Sequence, residues 1–128
     1  MADVNRGNRP LSPHLSIYRP QINSIMSILH RITGAGMVIA AMMTVWWFLA
    51  AATGPEAFAT ADDIVTSWIG GLVLLGSMAM LWFHFFNGVR HLAWDAGFGL
   101  ELKYLRSGGY AVFGATALMT LLTWALAY

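Results

Sequence analysis

Three long stretches of this chain contain no Asp, Glu, Lys or Arg: Ile32 to Pro55, Ile64 to Val89 and Ser107 to Tyr128. Each exceeds the roughly 20 residues needed to cross about 30 Å of hydrocarbon at 1.5 Å per residue. A bilayer core has no water to satisfy exposed backbone groups, so segments of this length are helices. The strand-like alternation of a barrel is too sparse to compete. The pattern predicts an all-α integral membrane protein with three transmembrane helices, at about 24–52, 62–92 and 107–127, within a domain 24–128 preceded by a segment 1–23. Composition agrees: 58% of the 128 residues are hydrophobic and 10% are charged, against about 25% charged in soluble domains.

The few charges orient the chain. Arg6, Arg9, Arg19 and Arg31 precede the first span, Glu56, Asp62 and Asp63 follow it, and Arg90, Lys103 and Arg106 lie in the second connection. The positive-inside rule then puts the N-terminus and the second connection in the cytoplasm, with the first connection and the C-terminus outside. Trp46, Trp47 and Trp68 near the outer face, Trp94 near the inner one, and Trp124 with Tyr128 at the outer C-terminus suit interface anchors in that placement. A net charge of +1, with no basic block and no Gly-rich phosphate loop, sets nucleic-acid binding aside. The absence of cysteine excludes disulfides, thiolate metal sites and an iron–sulfur cluster held by this chain, so a redox centre here must be ligated by histidine. Met1 to Arg9 is polar and contains Asp3, unlike a signal core or an Arg-rich transit peptide, and a bacterial inner membrane is expected rather than a mitochondrial one.

Between Arg9 and Pro20 the prolines impose an extended course, and Leu15, Ile17 and Tyr18 give it apolar side chains. Such a segment either lies against the membrane surface or a cytoplasmic partner, or is a flexible tail. Gly34, Gly36 and Ala40 in the first span, then Gly70, Gly71, Gly76 and Ser77 in the second, permit close helix contact, and the eight methionines suit packing. Three helices make a thin bundle with little interior to shield a polar site. Partner subunits in a larger helix bundle are therefore expected.

Two constellations interrupt this apolar background. The first is Ser27-Ile28-Leu29-His30-Arg31-Ile32-Thr33-Gly34. Ser27 and Arg31 are four apart and share a helix face, with His30 on its flank. A hydroxyl and a guanidinium that converge can donate to a carbonyl oxygen and stabilise charge as it is reduced, which a quinone head group requires. Equally, Ser27 can cap the helix while Arg31 snorkels to lipid phosphates. The second constellation is His84-Phe85-Phe86-Asn87-Gly88-Val89-Arg90-His91-Leu92-Ala93-Trp94-Asp95. His84, Gly88, His91 and Asp95 fall on one stripe at i, i+4, i+7 and i+11.

An imidazole at membrane depth must hydrogen-bond, face a hydrated cavity or bind a metal. A haem iron held by His84 would use the clearance at Gly88, and its propionates would seek His30, Arg31, Arg90 or His91. The alternative is a histidine that fastens two helices by a hydrogen bond. His84 and His91 project from one face about two turns apart and so cannot ligate one iron from opposite sides. A six-coordinate haem therefore calls for a ligand from another chain, with His30, which starts the first span while His84 lies deeper, as a weaker internal candidate.

These residues together resemble the cytochrome b membrane anchor of succinate dehydrogenase, the larger anchor of respiratory complex II. The resemblance covers nearly the whole chain through three runs in order: Arg9 to Leu15, Ser27 to Gly34 and His84 to Asp95. It implies that His84 is an axial ligand of haem b, shared with a histidine of the small anchor subunit. It implies also that Ser27 and Arg31 help form the ubiquinone site, that His30, Arg31 and His91 lie near the haem propionates, and that Asp95 matches an acidic residue near the quinone, where it or a partner residue could relay protons. A flavoprotein subunit, an iron–sulfur subunit and a small anchor subunit would complete the complex, with succinate oxidised outside this chain. The proline-rich opening resembles the segment that lies against the iron–sulfur subunit. A menaquinone-linked fumarate reductase anchor, or a non-redox membrane scaffold, remains open beside this reading.

Overall fold

The computed structural model describes residues 17–127, so the Arg9 to Leu15 run lies outside the described residues. Four helices follow in order: α1, Ile22–Thr53; α2, Pro55–Val65; α3, Trp68–Asp95; and α4, Leu102–Ala127. α1, α3 and α4 are each long and apolar enough to cross a membrane, which gives the three spans that the charge-free stretches predict. α1 has 32 residues and so runs about 48 Å. It outreaches about 30 Å of hydrocarbon, and its polar first turns lie beyond the apolar layer.

α2 occupies what charge alone marks as a connection. Gly54 stands between the two helices at φ +149°, and its N–H still bonds the Ala50 carbonyl at 3.3 Å. Pro55 opens α2 at a position where a missing N–H costs nothing, and Glu56 faces the positive end of the helix dipole. The short helix returns along the end of α1. Phe58 meets Trp47 edge-on at 5.3 Å, the Trp47 indole N–H donates to Asp62 Oδ1 at 3.3 Å, and Ala61 is fully buried.

Ile64 and Val65 therefore end α2 rather than begin a span. α3 starts at Trp68, not near residue 62, because Ser67 caps it: the hydroxyl accepts from Gly70 N at 3.1 Å and donates to the Ile64 carbonyl at 2.7 Å. Gly70 makes this tight corner possible. A Cβ there would run into the carbonyl oxygens of Ile64 and Val65, both rigid backbone atoms. Gly70→Ala is expected to cost about 1–3 kcal/mol, as overpacking does, and to lower the thermal midpoint of the detergent-solubilised protein. An unchanged midpoint would show that the corner can open freely.

α3 lies between α1 and α4 and packs against both, while α1 and α4 touch less. Met26, Phe83 and Val112, one from each span, form the buried cluster, flanked by Ile22, Leu29 and Phe86. Trp82 Nε1 donates to Thr123 Oγ1 at 3.3 Å and ties α3 to α4 farther along. Ile39, Met42, Phe48, Leu72, Leu81, Phe85, Leu121 and Leu126 all face outward. Such an exterior suits hydrocarbon, where packing and interhelical hydrogen bonds rather than the hydrophobic effect hold helices together.

Candidate functional site

His84 sits on α3 roughly three turns before its end, where the ring enters the groove against α1. Its Nδ1 lies 3.1 Å from the backbone carbonyl oxygen of His30 and 3.2 Å from Thr33 Oγ1. The His30 ring stacks on it at 3.7 Å between centroids, with 12° between planes. Gly34 provides the last of the space: a Cβ there would stand 3.1 Å from His84 Cε1. The ring is thus held on α1 by His30 and Thr33, with Gly34 leaving it room, all within about one turn.

The hydrogen bonds fix the tautomer. A carbonyl oxygen only accepts, so the Nδ1 that approaches the His30 carbonyl must carry the hydrogen. Thr33 has one hydroxyl hydrogen, directed to the carbonyls of Leu29 at 2.8 Å and His30 at 3.0 Å, so toward His84 it also accepts. In a neutral imidazole the lone pair then resides on Nε2. None of the described hydrogen bonds uses that atom. One turn on, a Cβ at Gly88 would meet nothing within 4 Å, which leaves the helix face beside His84 open.

Nearer the end of α3 a polar cluster joins all three spans. Arg90 donates through Nη2 to Asn23 Oδ1 at 2.8 Å on α1 and to the Leu105 carbonyl at 2.7 Å on α4, and its guanidinium lies 4.1 Å over the Trp94 ring. Nη1 reaches Asn87 Oδ1 at 3.5 Å. Arg90, one of the four groups that could meet haem propionates, bonds all three spans together. Around this cluster a cleft of about 300 Å³ is lined by Ser27, Asn23, Asn87, Arg90, His91 and Trp94, with Met26 and Leu105.

Ser27 and His91 thus share one cleft. His91 also lies 5.4 Å from the His30 ring and packs edge-on against Trp94 at 5.0 Å, so His84, His30 and His91 form a continuous line of imidazoles. Arg31 is exposed, does not line the cleft and makes none of the described hydrogen bonds. Asp95 is exposed at the end of α3. Among the described residues no three His, Cys, Asp or Glu side chains converge to hold a bare metal ion.

Thr33, Asn23 and Asn87 carry parts of this arrangement without having been singled out from sequence. Their signal was available in part: Thr33 is one turn past His30, and Asn87 is one turn before Arg90. A lone hydroxyl or amide inside a span has no preferred direction until its neighbours are placed.

The fold and site define a class: a thin three-helix membrane subunit that offers one deep histidine with an uncommitted ring nitrogen and a polar cleft beside it. The chain belongs to the succinate dehydrogenase/fumarate reductase transmembrane subunit family, whose model matches residues 5–123. It is 49% identical over 123 residues to the succinate dehydrogenase cytochrome b556 subunit of Paracoccus denitrificans, covering 96% of this chain and 95% of that protein. It is 37% identical to the subunit of the same name from Rickettsia conorii, covering 91% and 90%. The succinate dehydrogenase cytochrome b560 subunit of Reclinomonas americana is also 37% identical, with 91% and 85% covered. This is a subunit of an enzyme complex in a membrane.

Proposed function

We propose that this chain is the larger membrane anchor, a cytochrome b subunit, of a succinate:ubiquinone oxidoreductase. It would lie in a bacterial inner membrane with its N-terminus cytoplasmic, joined by a flavoprotein, an iron–sulfur and a small anchor subunit. The observation that carries the reading is the state of His84: Nδ1–H is bonded to the His30 carbonyl, so the Nε2 lone pair is available to iron. Metal-bound histidines ordinarily have this second partner. The names of the relatives, cytochrome b556 and b560, supply the cofactor. When bound, haem b provides a one-electron redox centre.

The residues of this chain fit that group. His84 would hold the haem iron through Nε2, Gly88 leaves room along the helix face, and His30, Arg31 and His91 would be the polar side chains that meet the propionates. By the family resemblance, a histidine of the small anchor would supply the second ligand to the iron. Ser27 donates its hydroxyl hydrogen to a ubiquinone carbonyl from the wall of the cleft, and Arg31 offsets charge developing on that oxygen once a partner subunit encloses its exposed guanidinium. Asp95, exposed at the end of α3, holds and passes a proton towards the quinone. Succinate is oxidised on the partner subunits.

The direct test is the visible spectrum of the purified complex. A reduced-minus-oxidised difference of b-type haem is expected at one haem per copy of this chain. A complex that oxidises succinate but shows no such signal would overturn the haem assignment.

A further inference from the structure

We propose that Thr33 is a positioning residue for His84, and that its hydroxyl sets how strongly Nε2 donates to the iron. The inference rests on the haem reading above. Thr33 is buried, with 8% of its surface exposed, and its one hydroxyl hydrogen has carbonyl acceptors within α1: Leu29 at 2.8 Å and His30 at 3.0 Å. The oxygen therefore faces Nδ1 of His84, at 3.2 Å, with a lone pair.

Together with the His30 carbonyl at 3.1 Å, it gives one N–H two acceptors. Pulling on that hydrogen enriches the imidazole in electron density, makes Nε2 the stronger donor and favours ferric over ferrous iron. A backbone carbonyl is not removed by substitution, whereas the hydroxyl is. The ring is also held by the stacked His30 ring and by the close approach of Gly34, so the loss of one hydroxyl changes the bond more than the place of the ring.

The sign follows. Losing an acceptor weakens donation from Nε2, destabilises the ferric state and raises the haem potential. The test uses the intact purified complex carrying Thr33→Val, Thr33→Ala or Thr33→Ser, with the haem midpoint potential and the low-temperature EPR spectrum of the ferric haem as readouts. For Val and Ala the ferric-to-ferrous ratio at fixed potential should fall threefold to tenfold, about 30–60 mV upward at 59 mV per decade for one electron. The EPR signal should shift with it, and Ser should return both to wild type.

Loss of haem in Val and Ala but not in Ser, with the four subunits still assembled, supports the same role more strongly. Should Val fail to assemble, Ala and Ser carry the comparison. Haem that depends on His84 yet keeps its wild-type potential and EPR spectrum in both Val and Ala overturns the role of Thr33 alone. A complex without haem, or with a spectrum indifferent to His84→Leu, overturns the haem reading and this inference with it.

Discussion

His84→Leu should strip the b-type haem from the complex or loosen it so far that it is lost on purification. The affinity loss should exceed the roughly 10–100-fold that follows from disturbing a partner of a metal ligand. Fold and site are separable here. The change removes one donor to the His30 carbonyl and to Thr33, whose oxygens keep or find bonds within α1, and an interhelical hydrogen bond in a membrane contributes about 0.6 kcal/mol on average. Assembly, followed by size-exclusion chromatography, should therefore survive while the haem spectrum does not. An intact spectrum in the variant would mean that the iron, if present, is held elsewhere.

Ser27→Ala and Arg31→Leu should each slow quinone reduction by about 10²-fold or more, the usual effect of removing a donor aimed at a developing oxyanion. Succinate oxidation measured with a soluble artificial acceptor should stay near wild type. The structure makes this split expected. Ser27 lines the cleft and Arg31 is exposed, and neither makes any of the described side-chain hydrogen bonds that fasten the spans. Arg90 differs, since its removal would leave Asn23 and the Leu105 carbonyl without their partner and loosen α4 from α1. Equal loss of both activities in the Ser27 and Arg31 variants would point to failed assembly and count against the quinone role.

The spans were legible because burial in lipid is written as the absence of charge over a known length. Helix ends were not, since a membrane helix continues past the hydrocarbon: Lys103 and Arg106 interrupt the apolar stretch yet lie inside α4, which begins at Leu102. α2 escaped notice for the opposite reason. Glu56, Asp62 and Asp63 mark it as a polar connection, and its packing against α1, Trp47 included, and against α3 shows only once the helices are placed.

In the site, the pairing of His84 with α1 was foreseeable as one of two uses of a buried imidazole. The structure shows that the two uses are compatible, because one ring nitrogen fastens the helices and the other is left over. The two arginines differ in setting: Arg31 is exposed, while Arg90 is bonded to Asn23 on α1 and the Leu105 carbonyl on α4. Spacing along one helix cannot tell which of them the next helix will cover.

The clasp at Arg90 has an electrical side. Its acceptors are the Asn23 amide, the Asn87 amide, the Leu105 carbonyl and the Met26 sulfur, and its stacking partner is Trp94: all neutral. Nothing in that set cancels the guanidinium, so the bundle is locked by a charge that it retains. In the proposed orientation that charge sits on the negative side of an energised membrane. Dragging it to the far side would cost about 2.3 kcal/mol per 100 mV. A bond that merely joined three helices would resist their separation; in that orientation this one would also oppose outward slippage of the central helix, and more so when the membrane is charged.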